Sequence, residues 1–125
     1  MTAINDETFA QDYITAWSTT DDATRKELVT KLYAYGAAFY SNESNDGSVE
    51  FHGVEEINAN ITHVNVRLVQ DKGLITQGNG FAANHDVLKV SWKMVTSDGN
   101  VVMTGMDILV RDVSGKIVQD YIFIG

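Results

Sequence analysis

Residues 88–124 read LKVSWKMVTSDGNVVMTGMDILVRDVSGKIVQDYIFI, and the period of this stretch decides the fold. Leu88, Val90, Trp92 and Met94 alternate with Lys89, Ser91 and Lys93, the two-residue repeat of a half-buried strand. Residues 101–111 and 116–124 are two further runs of strand length. Asp98-Gly99 and Ser114-Gly115 supply tight turns between them. Residues 73–83 form a weaker strand ahead of these three, with Gly78 and Gly80 marking a bulge or bend. A four-strand antiparallel meander is therefore expected in the C-terminal half.

Upstream of this stretch the period changes to that of a helix. Phe9, Tyr13, Ala16 and Trp17 recur at helical spacing, and Asp6 and Glu7 suit the positive end of a helix dipole. A first helix is expected over residues 6–18. Residues 18–22, Ser-Thr-Thr-Asp-Asp, form a break rich in N-cap side chains. A second helix is expected to run to about Tyr35, with Leu28, Leu32 and Tyr35 on one stripe, Val29 and Tyr33 beside it, and Gly36 as its stop. Residues 37–40 and 49–51 are candidate short strands, separated by a polar loop over 41–48. A third helix is expected over 54–66, presenting Ile57, Ile61, Val64 and, just beyond it, Leu68. Helices segregated from strands argue an α+β fold, a curved antiparallel sheet packed on three helices of the N-terminal half.

The chain has 125 residues, which suits one domain spanning 1–125, and no repeat or linker divides it. At 44% hydrophobic and 21% charged residues it can fill one core. The net charge is −8, and the nine basic residues form no cluster beyond Arg25-Lys26. That argues against nucleic acid or an anionic membrane as partner. Without cysteine there is no disulfide, thiolate zinc site or cysteine nucleophile. Residues 1–11 show no leader pattern, and no apolar run approaches the ~20 residues of a membrane span, so a cytoplasmic location is expected. No metal or cofactor site is expected either. The three histidines lie in separate segments, residues 42–46 do not complete a calcium loop, and Gly78-Asn79-Gly80 does not open a helix.

Asp107 is the sharpest functional candidate. It shares the parity of Met103, Gly105 and Leu109 within an apolar strand, where loss of solvent should raise its pKa. It is either a neutral acid or base at a site, or an aspartate satisfied by a structural partner or facing an interface. Asp120 shares parity with Val118, Ile122 and Ile124, so it reaches the same interior or else faces water while Tyr121 and Phe123 point inward. Two acids in one cavity could divide acid and base roles. Tyr13 and Trp17 share a helix face and are either core packing or pocket wall. His85 can titrate near neutrality at a pocket mouth. Adjacent strand residues point to opposite faces, so it cannot easily pair with Asp86; Asn84 and Asp86 hold the inward parity if the strand is regular that far.

Several features together resemble the nuclear transport factor 2-like superfamily, which includes SnoaL-like proteins and ketosteroid isomerases. They are Tyr13 and Trp17 on an early helix, Gly53-Val54-Glu55-Glu56-Ile57 opening the third helix, and Trp92 in a long strand. Gly105-Met106-Asp107, then Asp112, Gly115-Lys116-Ile117 and Phe123, complete the pattern, which spans nearly the whole chain. The resemblance implies a cone of helices and curved sheet, a cystatin-like roll, with a pocket inside and dimerisation through the sheet. In the isomerase branch a helix tyrosine and a protonated strand aspartate bind the substrate oxyanion while a second aspartate removes a proton. Tyr13 and Asp107 match the first two positions. Ser41 stands at the third, and a serine without its own base cannot accept a proton from carbon. The resemblance thus implies a small-molecule pocket protein working without cofactor on an apolar, carbonyl-bearing compound by isomerisation, cyclisation or hydration. Asp107, Tyr13, His85 and Asp120 are its catalytic candidates, and Trp17, Tyr33, Phe39, Trp92 and Met103 its pocket lining. The alternative is a non-catalytic ligand-binding or dimeric interaction module. An apolar outer face carrying Val102, Met106, Ile108 and Val110 favours a homodimer in either case.

Overall fold

A computed structural model describes residues 5–42 and 49–125. Part of the polar loop expected over 41–48, residues 43–48, lies outside the described residues. Three α-helices, α1 (Asp6–Ser18), α2 (Asp22–Leu32) and α3 (Gly53–Val64), pack on a six-strand sheet. Its strands are β1 (Tyr33–Ser41), β2 (Val49–His52), β3 (Ile75–Asn84), β4 (Val87–Val95), β5 (Val101–Arg111) and β6 (Ile117–Ile124), in the spatial order β2-β1-β6-β5-β4-β3. The fold is α+β, and the curved sheet does not close on itself.

The four-strand meander β3 to β6 forms as its periodicity requires, and the register breaks between Gly78 and Phe81 where the glycines interrupt β3. The sheet is nonetheless mixed, because β1 joins β6 in parallel, with Phe39 opposite Asp120. Reaching β6 from the helical half of the chain sets that direction. The second helix is also shorter than its stripe suggested. It ends at Leu32, and Tyr33 turns extended at φ −102° and ψ 140°. Tyr33 is drawn into the sheet opposite Ile117, leaving Tyr35 91% exposed and Gly36 inside a strand rather than at a helix end. Sheet pairing here overrides a helical periodicity that was real but short.

Helix starts follow local chemistry. The Asn5 side chain accepts the backbone N–H of Glu7 at 2.7 Å, and Asp21 accepts that of Thr24 at 3.0 Å. Past Val64, α3 continues as a π-helical turn over Asn65–Gln70, in which Asp71 N donates to Val66 O at 2.9 Å. This wider turn carries Asn65, Leu68 and Val69 to the interior of the roll. The core lies between the helices and the inner sheet face, where Phe9, Val29, Ile57, Ile61, Leu88 and Leu109 are buried. Arg25 is buried too. Its guanidinium donates to Asp22 Oδ1 at 2.7 Å, to Thr62 Oγ1 at 3.2 Å and to the Thr19 carbonyl, tying α2 to α3 and to the end of α1. No helix among the described residues is long and apolar enough to cross a membrane.

Candidate functional site

The inner face of the meander is set by alternation. Trp92 and Met94 on β4, Met103 and Asp107 on β5, and Ile122 and Ile124 on β6 point inward. This settles the last strand: Asp120 is fully buried while Phe123 is 48% exposed on the other side. Against this face α1 brings Tyr13 and Trp17, β1 brings Phe39 and Ser41, and the π-helical turn brings Asn65. Together they enclose a cavity with about 700 Å3 of space free of atoms, its mouth included. Trp17, Phe39, Trp92 and Met103 line it, as do Tyr13 and Asp107. No lysine, arginine or histidine does so among the described residues.

At the floor of the cavity sits a cluster of five side chains. Tyr13 Oη lies 2.6 Å from Asp107 Oδ2 and 2.7 Å from Asp120 Oδ2. Tyr33 Oη donates to Asp120 Oδ2 at 2.6 Å, and Trp92 Nε1 donates to Asp107 Oδ1 at 2.9 Å. A phenol has one proton, so Tyr13 cannot donate to both acids. One of the two contacts of the tyrosine oxygen therefore needs a proton from a carboxyl group. Burial raises the pKa of both acids, and the Asp120 charge and hydrogen bond raise Asp107 further. For Asp120, bonds from Asp107, Tyr33 and Tyr13 oppose the effect of burial. The charge state that satisfies these contacts is a protonated Asp107 beside an ionised Asp120.

The tyrosines shift in the same sense as the acids. Burial and then the neighbouring carboxylates push both Tyr13 and Tyr33 well above the ordinary phenol pKa of 10.0. A folded pKa above the unfolded one means that stability is intact below pH ~10 and is lost above it, as unfolded phenols ionise. In an alkaline titration followed by phenolate absorbance, Tyr13 and Tyr33 should therefore ionise only together with loss of the circular-dichroism signal. Reversible ionisation of all five tyrosines in the folded protein would contradict the placement of these two.

Several expected positions are corrected. His85, a catalytic candidate, lies exposed in the turn between β3 and β4 with φ 54° and does not line the cavity. Asn84 and Asp86 are exposed as well: Asn84 is the last residue of β3, paired with Val87 at the end of the hairpin, and Asp86 lies in the turn before β4. Tyr33, expected in the lining, lies behind the cavity and holds Asp120. Asp120 likewise is absent from the lining and meets the cavity only through Tyr13. Ser41 lies in the cavity wall and is buried, so the position expected for a base carries a hydroxyl.

Other participants went unread in the sequence. Asn65 is fully buried, donates through Nδ2 to the Trp17 carbonyl at 2.7 Å and accepts from Gln70 Nε2 at 2.9 Å. Nothing in the helical stripe marked it, since the π-turn that rotates it inward has no pattern of its own. Gly105 opposes Trp92 across β4 and β5. A glycine in an apolar strand is a recognisable signal of close approach.

No family model matches the sequence, and no curated protein matches it. Solved structures do. A candidate isomerase of the SnoaL-like family from Agrobacterium tumefaciens is 22% identical, with a TM-score of 0.83 over 96% of this chain and 97% of that one. A SnoaL-like protein of unknown function from Burkholderia thailandensis is 17% identical, with a TM-score of 0.67 over 98% and 99%. A candidate SnoaL-like polyketide cyclase from Jannaschia is 9% identical, with a TM-score of 0.69 over 99% and 90%. The chain therefore has the nuclear transport factor 2-like fold. Within that fold it is similar to SnoaL-like structures across nearly its whole length.

Proposed function

We propose that the protein binds an uncharged, largely apolar molecule bearing a carbonyl oxygen and acts on it by acid–base chemistry without a cofactor. The observation that carries this reading is the buried Asp107 carboxyl, 2.6 Å from the Tyr13 hydroxyl at the floor of an apolar cavity, where burial and the nearby Asp120 charge push its pKa up. The absence of cations from the lining among the described residues leaves an anionic ligand without a partner. In the free site the Asp107 proton goes to Tyr13 Oη and the Tyr13 proton to Asp120; a carbonyl oxygen entering beside Asp107 takes over the carboxyl proton, and a donor held in an apolar site acts more strongly on developing negative charge than one in water. Asp107 holds that oxygen, while Tyr13 and Tyr33 both donate to Asp120. Ser41 supplies no base, so the proton on carbon is taken by hydroxide or a buffer base from solution entering through the mouth, which leaves as its conjugate acid. Isomerisation, cyclisation and hydration all share this need for a stabilised enolate or alkoxide.

The ketone β-tetralone in deuterated buffer tests this reading, because enolisation is read as deuterium entering the carbon beside the carbonyl. The wild type should accelerate that exchange, and Asp107→Asn should abolish the acceleration. Binding of the ketone without exchange would favour the second reading, a carrier or interaction module, which the hydroxyl at Ser41 supports.

The outer sheet face supports a homodimer. Met106 is 37% exposed and Phe123 48% exposed, in register with each other across β5 and β6, and Val102 continues the same face of β5. An exposed patch of this kind on a sheet calls for a cover. Met106→Lys should convert the dimer to a monomer in sedimentation velocity at micromolar concentration. A wild type that already sediments as a monomer would refute the dimer.

A further inference from the structure

Trp92 and Gly105 stand opposite each other on β4 and β5, two residues along β5 from Asp107. A Cβ placed on Gly105 would strike the edge of the Trp92 ring at Cζ2, come within 2.7 Å of Cη2, and lie 2.8 Å from the Phe123 carbonyl oxygen. Only glycine leaves the indole room to lie down over β5. Lying there, the ring directs Nε1 at Asp107 Oδ1, 2.9 Å away. The other tryptophan offers a contrast, since the buried Trp17 Nε1 has no hydrogen-bond partner among the described residues. The Trp92 bond is therefore a particular arrangement and not a general consequence of an indole in this core.

We propose that Trp92, seated on Gly105, is a positioning residue that fixes which oxygen of Asp107 carries the proton. The inference rests on Asp107 being the acid of the function proposed above. An oxygen that accepts an N–H bond is the carbonyl-like atom of a carboxyl group, and the hydroxyl falls to the other oxygen. With Oδ1 occupied by the indole, the proton sits on Oδ2. That atom is 2.6 Å from Tyr13 Oη, so the carboxyl proton is directed at the tyrosine oxygen that lines the cavity. Were the carboxyl free to carry its proton on Oδ1, the hydrogen would point into β4, away from Tyr13. Among the described residues, the titratable groups facing Asp107 all belong to this cluster: Tyr13 from α1, Asp120 from β6 and Tyr33 from β1. Trp92 is the non-titrating member, which makes it a fixed reference for the others. The indole donor also favours the ionised form of Asp107 over the neutral one, opposing in part what burial does.

The test uses the ligand-free protein and proton–nitrogen NMR of its two indole N–H groups, with carbon NMR of the aspartate carboxyls across a pH series. The Trp92 signal should lie downfield of the Trp17 signal and move with pH along the Asp107 carboxyl titration, whereas the Trp17 signal should not follow it. Trp92→Phe should raise the Asp107 midpoint by about one pH unit, the loss of one N–H donor to a carboxylate. Gly105→Ala should raise it similarly and collapse the Trp92 indole shift, and adding Gly105→Ala to Trp92→Phe should leave the midpoint where Trp92→Phe puts it. If Gly105→Ala does not fold, Trp92→Phe decides alone. A folded Trp92→Phe protein with an unchanged Asp107 midpoint would overturn the proposal, even if its stability had dropped. Because no ligand is involved, absence of exchange with β-tetralone would count against the proposed function and leave this result intact.

Discussion

Tyr13→Phe should cost about 3 kcal/mol of folding stability at neutral pH, and the cost should grow as pH rises. The substitution leaves the ring in place and removes one oxygen, so it creates almost no cavity. What it removes is the atom lying 2.6 Å from Asp107 and 2.7 Å from Asp120. Hydrogen bonds to a charged group are worth about 1.5–3 kcal/mol each, and a buried polar atom left without a partner carries its full desolvation cost. Asp120 would keep only Tyr33 and its contact with Asp107, while its Oδ1 already has no hydrogen-bond partner in the cluster. The pH dependence follows from what the hydroxyl does to Asp120, whose pKa it lowers. Removing it raises the folded pKa further above the unfolded value. Between those values the folded protein holds a proton that the unfolded chain has released, so stability falls as pH rises. Urea titrations at several pH values check this, with an unchanged denaturant slope showing that the unfolded state is the same. A loss below about 1 kcal/mol at neutral pH would mean that the two acids do not depend on the tyrosine.

Much of this cluster was legible before any coordinates. Trp92 and Gly105 each lie six residues from the turn pair Asp98-Gly99, so the hairpin centre alone pairs them. Leu109 and Asp120 each lie five residues from Ser114-Gly115 in the same way. Given inward parity for Asp107, the turn places Asp120 diagonally beside it on the same face. Alternation is strict in this half of the chain because the strands are long and the turns tight. The N-terminal half was harder for a physical reason. Tyr33 sits where a helix ends and a strand begins, and Leu32-Tyr33 satisfies either period. Its pairing with Ile117, over eighty residues away, decides the matter, and no local pattern carries that information. The same holds for Asn65, buried by a π-turn, and for Arg25, whose partners Thr19 and Thr62 come from different elements. His85, expected at a pocket mouth, misled for the opposite reason: the strand was carried one step too far, and the chain turns at that residue.

The parallel pairing of β1 with β6 has a consequence for the site. It sets Phe39 opposite Asp120 and lets the Tyr33 hydroxyl approach the same acid from behind. The carboxylate is thus walled from the cavity by Tyr13 on one side and pinned by Tyr33 on the other. An acid held this way is poorly placed to meet a ligand and well placed to keep a neighbouring carboxyl protonated, since its charge opposes ionisation of Asp107. The division of labour between the two acids comes from geometry: both are fully buried, and only one faces the cavity.

Asp107→Asn should make the protein more stable than the wild type at neutral pH, by about 2–3 kcal/mol, while removing the acid on which the proposed chemistry depends. The amide has the shape of the neutral carboxyl, can accept from Trp92 through its oxygen, and can donate toward Tyr13 and Asp120 through its nitrogen. It has no proton to lose. The wild-type carboxyl stays protonated in the folded state well above the ordinary carboxylate value of 3.8, whereas the unfolded chain ionises there. Folding then carries a proton uptake that costs about 1.4 kcal/mol for every pH unit above the unfolded pKa, until the folded group also ionises. Near pH 4 the two proteins should be similar in stability, and the gap should open steadily as pH rises. The figure of 2–3 kcal/mol allows for an N–H donor being weaker toward Asp120 than an O–H. Thermal or urea unfolding of both proteins from acid to neutral pH measures the gap, and parallel stability curves across that range would show that Asp107 is ionised in the fold. Such a gain from deleting a functional group is the signature of an active site held at the expense of stability. The same outcome would be hard to explain for a carboxyl kept only to brace the sheet, since bracing residues destabilise when they are lost.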